Sequence, residues 1–177
     1  TWVTSMDATS QTAVQLAESA AAGFSEEVWT GLEAGAKDLE KPEYRQIKNS
    51  LMKLTAINPD VHFAYLYTQK NGKIYLMVDS EAPDSEDYSP PGQEFTEAAE
   101  IFFKPFEEGR PVITQPTTDR WGTWVSVLIP LVDSETGEIG AVFGMDYSAK
   151  EWSQHATIRT AQMVFVILCV LLLLSAI

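Results

Sequence analysis

The sequence predicts an α+β domain that runs into a membrane helix. Three observations predict it: helical periodicity fills the first third of the chain, strand and turn signals dominate the middle, and the last seventeen residues are almost wholly apolar. From Ala161 to Ile177 the chain reads AQMVFVILCVLLLLSAI, without charge and with only Gln162 and Ser175 polar. A water-facing helix shows an apolar stripe; this segment is apolar all round, which suits lipid. A bilayer crossing takes roughly 20 such residues. The expectation is therefore a membrane helix that starts at 161 and is cut off inside the bilayer.

The elements follow in order. Trp2 to Phe24 carries Trp2, Met6, Ala13, Leu16, Ala20 and Phe24 at spacings that make one stripe of a long helix. Gly23 and Ser25 end it, and Ser25 with Glu26 and Glu27 predicts the cap of a short second helix, stopped by Gly31 and Gly35. Pro42 suits the first turn of a third helix whose buried face is Tyr44, Ile47, Leu51 and Leu54. Asn58-Pro59-Asp60 ends that helix, because a residue before proline avoids the α region. The period then changes. Val61 to Thr68 is β-branched and aromatic, Asn71-Gly72 predicts a type I′ hairpin, and Ile74 to Asp79 is the return strand. After an acidic, proline-bearing loop over 80–93, Glu94 to Phe106 reads as a helix with Phe95, Ala98, Ala99, Phe102 and Phe103 inward. Pro111 to Thr114 is a short strand. Trp121 to Val132 and Ile139 to Tyr147 form a long antiparallel pair about a turn containing Gly137, and Lys150 to Arg159 is a helix leading into the apolar run. The fold class is thus α+β: helices first, then a mostly antiparallel set of about five strands interrupted by one helix.

Composition excludes several functions. The net charge is −13, from 25 acidic and 12 basic residues, so nucleic acid and anionic lipid headgroups are repelled. Nine acids and one base, Lys104, lie between Glu81 and Glu108, a pattern of a solvated face that lacks calcium-loop spacing. Cys169 is the sole cysteine, and His62 and His155 are far apart, so neither a disulfide nor a metal site is expected. No cofactor is expected either: the nucleophile-elbow, P-loop, zinc-protease and dinucleotide motifs are all absent from the sequence.

Candidate chemistry concentrates near the last strands. Alternation puts Gly140, Val142, Gly144 and Asp146 on one face, and Trp124, Ser126 and Leu128 on a face of the partner strand. Glycine inside a strand marks close approach of a ligand or another chain segment. Trp124, Ser126 and Asp146 over that floor would make a small amphipathic pocket. The other reading is that the glycines relieve crowding against a helix and Asp146 caps the next one. Thr117 to Trp124 is the densest cluster of functional residue types. Arg120 offers a planar fork for a carboxylate, and Trp121 and Trp124 could wall a cavity or stack on a cation. Its bland counterpart is a β-turn with an exposed Asp119–Arg120 ion pair.

These segments together resemble a known family. Asn58-Pro59-Asp60 before FAYLYT, the hairpin into YLMVDS, the loop DYSPPGQEF and the stretch DRWGTWVSVLIPLVDSETGEIGAVFGMDYS are similar to extracytoplasmic Cache (PAS-like, or PDC) sensor domains of prokaryotic membrane receptors. The likeness covers roughly Pro42 to Tyr147. It implies a PAS-like central antiparallel sheet with the long N-terminal helix on one face and the ligand pocket on the other, with a helical dimerisation segment over 1–41, a single-lobed sensor core over 42–149, an exit helix over 150–160 and the start of the transmembrane helix over 161–177. It also implies a domain outside the cell membrane, a homodimer through the N-terminal helix, and a cytoplasmic kinase, diguanylate cyclase or chemoreceptor module beyond. A small polar metabolite, a carboxylate or an amine, would bind near Tyr88, Phe95, Arg120, Trp121, Trp124, Ser126 and Asp146. In amino-acid-binding members the loop before the mid-domain helix holds the ligand with an Arg and a Trp-Tyr pair. Here Tyr88 to Phe95 lacks the arginine, and Arg120 would have to supply the charge from the opposite strand. The competing reading is a protein-interaction or structural ectodomain with a vestigial pocket.

Overall fold

The computed structural model describes residues 2–153, with side chains from residue 8 onward. Helix α1 (Trp2–Ala21) is followed by α2 (Glu26–Thr30), a 3-10 turn (Ala36–Glu40) and α3 (Pro42–Ile57). Strands β1 (Phe63–Lys70) and β2 (Lys73–Asp79) form the hairpin, in which Asn71 and Gly72 both adopt positive φ (51° and 74°), as a type I′ turn requires. After the 80–99 loop and a 3-10 turn (Glu100–Phe102) come α4 (Lys104–Glu108), β3 (Val112–Ile113), β4 (Thr117–Asp119), β5 (Gly122–Val132) and β6 (Ile139–Ser148). The sheet is antiparallel in the order β2-β1-β6-β5-β3, with β4 also on β5. This is the α+β architecture expected, with six strands rather than about five. The added strand exists because Gln115 and Pro116 interrupt the edge that pairs with β5; proline has no N–H for a ladder. Residues 149–153 are helical from the end of β6. Among the described residues no helix is long and apolar enough to cross a membrane; the run 161–177 and most of the exit helix lie outside them.

Two cores flank the sheet. On one face α1, α2 and α3 pack on β1, β5 and β6, burying Leu66, Val125, Val127, Phe143 and Met145. The buried positions of α1 are Ala13, Ala17 and Ala21, with Leu16, Ala20 and Phe24 only partly covered. The stripe is therefore rotated toward the small residues, whose lack of bulk lets the helix axis approach the sheet. On the other face Tyr65, Tyr67, Leu76, Leu128 and Val142 pack against Phe95 and Phe102 from the 80–106 region.

Three local expectations are corrected. Glu94 to Phe106 is not one helix. Residues 92–95 instead run along the edge of β2, with Leu76 N–H donating to Gln93 O (2.9 Å) and Phe95 N–H to Ile74 O (2.9 Å), and helix appears only at α4. Pro105 explains the break, since inside a helix its ring would clash with the carbonyl four residues back. The apolar spacing still serves the core, because Phe95 and Phe102 are buried there. Ser25 stands at the N-cap of α2 but makes no side-chain capping bond; its carbonyl accepts from Val28 N–H at 3.0 Å instead. Finally, an irregularity where β5 meets β6 between Leu131 and Val132 shifts the register. Gly140 consequently leaves the face of Asp146 and meets α2: a Cβ there would lie 2.7 Å from the Trp29 ring.

Candidate ligand cavity

Tyr65 and Gly144 are directly paired across β1 and β6. A Cβ on Gly144 would lie 2.5 Å from the Tyr65 ring, so the glycine makes room for that ring to cross β6. The ring delivers its hydroxyl to Asp146, donating to Oδ1 at 2.9 Å. Asp146 is paired with Phe63 of β1 and with Ser126 of β5, which places it in the sheet's interior, 6% exposed. Burial pushes its pKa up to about 7; the Ser126 and Tyr65 hydroxyls pull against the rise and Asp119 adds to it. Ser126 Oγ is near enough to favour the carboxylate yet off the line of a formed hydrogen bond, and is left unpartnered.

Around Asp146 lies a cavity of about 40 Å³ between the sheet and the 80–95 loop, room for roughly three water molecules. Its walls are Phe63, Tyr65, Leu76, Phe95 and Trp121, with Ser89 and five carboxyl groups: Asp79, Glu81, Asp87, Asp119 and Asp146. No lysine or arginine is among the lining residues. The two nearby bases are engaged elsewhere. Lys48 of α3 pairs with Asp79 in a buried ion pair, and Asp79 also accepts from Ser89 N–H at 2.6 Å, tying the loop to the sheet. Burial raises the Asp79 pKa, and Lys48 and the Ser89 N–H work against it. Arg120 points outward, its Nε donating to Glu97 at 2.8 Å and its second guanidinium nitrogen to Thr96 at 3.2 Å. Asp119 is not its partner; it accepts from the N–H groups of Trp121 and Gly122 at 2.9 and 3.1 Å, closing the β4–β5 turn.

Of the residues singled out from sequence, Phe95, Trp121 and Asp146 meet at this cavity, and Ser126 sits beside Asp146. Tyr88 is turned toward α3, its hydroxyl 3.1 Å from that of Tyr44 and its ring under the Lys48 ammonium. Trp124 stacks on His62 (centroids 4.8 Å) and meets Phe63 edge-on. Phe95 packs against Trp121 and Phe102 rather than Trp124. Sequence reasoning passed over Phe63, Tyr65, Asp79 and Asp119. Parity along β1 was the available signal for two of them, because Phe63, Tyr65 and Tyr67 alternate onto the side away from the helices.

The fold is shared with bacterial sensor domains. The ligand-binding domain of the Campylobacter jejuni chemoreceptor Tlp3, solved with 4-methylisoleucine, superposes with a TM-score of 0.55 at 12% identity, over 86% of this chain and 56% of that one. The periplasmic sensory domain of the C. jejuni chemoreceptor Tlp1 gives 0.52 at 15% identity, over 83% and 58%. An extracellular ligand-binding receptor from Desulfohalobium retbaense gives 0.54 at 17% identity, over 87% and 24%. This chain thus spans well under two thirds of each of those structures. The sequence matches no protein-family model and no curated protein. What the chain shares with these structures is the fold, an α+β domain of the kind found in extracytoplasmic ligand-binding sensors.

Proposed function

We propose that this chain is the extracytoplasmic ligand-sensing domain of a membrane receptor, and that its ligand is a compact organic amine held in the Asp146 cavity. The observation that supports the amine is the wall itself: five carboxyl groups and four aromatic rings, with no base among the lining residues. An ammonium ion gains from both, through charge-assisted hydrogen bonds to carboxylate and attraction to ring faces. A free carboxylate on the ligand would meet no uncommitted base among the lining residues, because Arg120 and Lys48 are paired with Glu97 and Asp79. Asp146 serves as the counter-ion, Tyr65 orients it, and Phe95 and Trp121 close the side of the cavity. The 149–153 helical turn carries β6 toward the apolar run at 161–177, which in this reading is the membrane segment and output route.

The test is calorimetric titration with primary amines, quaternary ammonium ions, amino acids and carboxylates. Amines without a carboxylate are expected to bind, and Asp146→Asn to weaken them at least tenfold. Tight carboxylate binding that survives Asp146→Asn would sink the proposal. The small volume favours a second reading, an ectodomain that binds no metabolite, and the complete absence of a hit would support it.

A further inference from the structure

Behind Asp146, on the helix-covered face of the sheet, lies a second and larger cavity. It measures about 230 Å³ and sits where α1, the α3–β1 loop and the end of β6 converge. We propose that it is a separate binding site for an organic ammonium ion with an apolar body too large for the Asp146 cavity. The proposal goes beyond the sensing role argued above and does not depend on the first cavity being occupied.

Four observations carry it. The floor is apolar, made by Ala13 and Leu16 of α1, Val61, and the rings of Tyr147 and Trp152, which contact edge-to-face at 5.1 Å. The rim carries two exposed carboxylates, Asp60 and Glu151, and among the described residues no base lines the cavity. An apolar cation fits this arrangement, with its body on the floor and its charge at the rim, whereas an anion fits neither part. Ile57, at the mouth, is 67% exposed, apolar surface that a ligand body would cover. Lastly, the Tyr147 hydroxyl is buried and has no hydrogen-bond partner among the described residues. A buried polar group without a partner costs free energy that a bound N–H donor would recover. Burial, with the field of Asp60, pushes the Tyr147 pKa up to about 12, so the phenol stays neutral beneath the rim carboxylates.

The location gives the site a consequence. Tyr147 adjoins Asp146 in β6, Trp152 lies within the 149–153 helical segment that leaves the sheet, and α1 forms the facing wall. A ligand here bridges the first helix of the domain to its last described segment. It would bias their relative position only by the difference in its affinity for the two arrangements.

The experiment uses the purified full chain and phenethylammonium chloride as probe, followed by calorimetry and by methyl NMR of Ala13, Leu16 and Val61. The expected result is methyl shifts at those three residues and binding at least tenfold weaker in the Asp60→Asn, Glu151→Gln double variant. Thr12→Trp, at an exposed position on the rim, should block the cavity by bulk and give a similar loss. All three changed side chains are exposed, so the fold should survive, and unchanged melting would confirm it. Asp146→Asn separates the sites: binding retained in that variant supports a second site. Probe binding lost in Asp146→Asn but intact in the double variant, methyl shifts elsewhere, or no binding at all would overturn the proposal while leaving the Asp146 reading to its own test.

Discussion

Replacing Asp146 by Asn gives a stability experiment whose size follows from the structure. Burial raises this carboxyl from its ordinary 3.8 to about 7. Between those values the folded chain binds a proton that the unfolded chain has released. Stability from this group is therefore complete below about pH 4 and is lost as pH rises through 7. The loss is about 3 pKa units at 1.36 kcal/mol each, or about 4 kcal/mol. Asparagine keeps the shape, and its Oδ1 can still accept from the Tyr65 hydroxyl, but it has no proton to release. Urea unfolding of both proteins at pH 5 and pH 8 isolates the effect, because other titrating groups cancel in the difference. The part of the loss that falls above pH 5 spans about 2 pKa units, so the variant should gain about 2.7 kcal/mol on the wild type between pH 5 and pH 8. Parallel pH profiles would refute the assignment of Asp146 as a buried, high-pKa carboxyl.

Other outcomes follow from the same geometry. If an ammonium ion binds ionised Asp146, its affinity should rise up to tenfold per pH unit below about 7 and level off above it; a flat profile by calorimetry would count against the contact. Gly144→Ala should drive the Tyr65 ring off β6 and cost about 1–3 kcal/mol in denaturant unfolding, with ligand affinity falling as well. Lys48→Met leaves the Asp79 carboxyl buried without its ion and should cost about 3–5 kcal/mol, partly recovered in the Lys48→Met, Asp79→Leu pair. Arg120→Ala removes exposed contacts with Glu97 and Thr96 and a guanidinium over the Trp121 ring, and should change stability by less than about 1 kcal/mol while leaving amine binding within a few-fold.

Periodicity made the scaffold legible. The α3 stripe and the alternation of β5 were readable because each face repeats at its element's own period, and the Asn71-Gly72 turn because those residues tolerate positive φ. The helix expected over 94–106 fails for the same reason: Phe95, Ala98, Phe102 and Phe103 have helical spacing, but the N–H groups of Gly92 and Phe95 are used at the edge of β2. The site was readable in part: strand parity nominated Asp146, the clustering of residue types nominated Trp121 and the family resemblance nominated Phe95, whereas Asp79 and Asp119 enter through a loop tie and a turn, which have no period. Arg120 shows the limit of residue type as a guide. Its chemistry suits a carboxylate ligand, but Glu97, remote in sequence, holds it outside.

The pairing of Tyr65 with Gly144 connects the site to the rest of the domain. Asp146 is held on one face of β6, and the next residue, Tyr147, turns to the opposite face and packs on Trp152. A ligand that moves the Asp146 carboxyl must therefore work against a strand bonded on both sides, by β1 and β5. Such a strand shifts as a unit rather than yielding locally, because its hydrogen bonds and both packed faces move together. The end of β6 and the 149–153 turn are where that displacement meets fewer constraints, beside the second cavity. Occupancy of the two cavities should then be reciprocally coupled, each ligand changing the other's affinity by the same factor. Titrating a compact amine with and without saturating phenethylammonium, in wild type and in the Thr12→Trp variant, measures that factor. A factor of one in wild type would mean that β6 does not carry the signal between them.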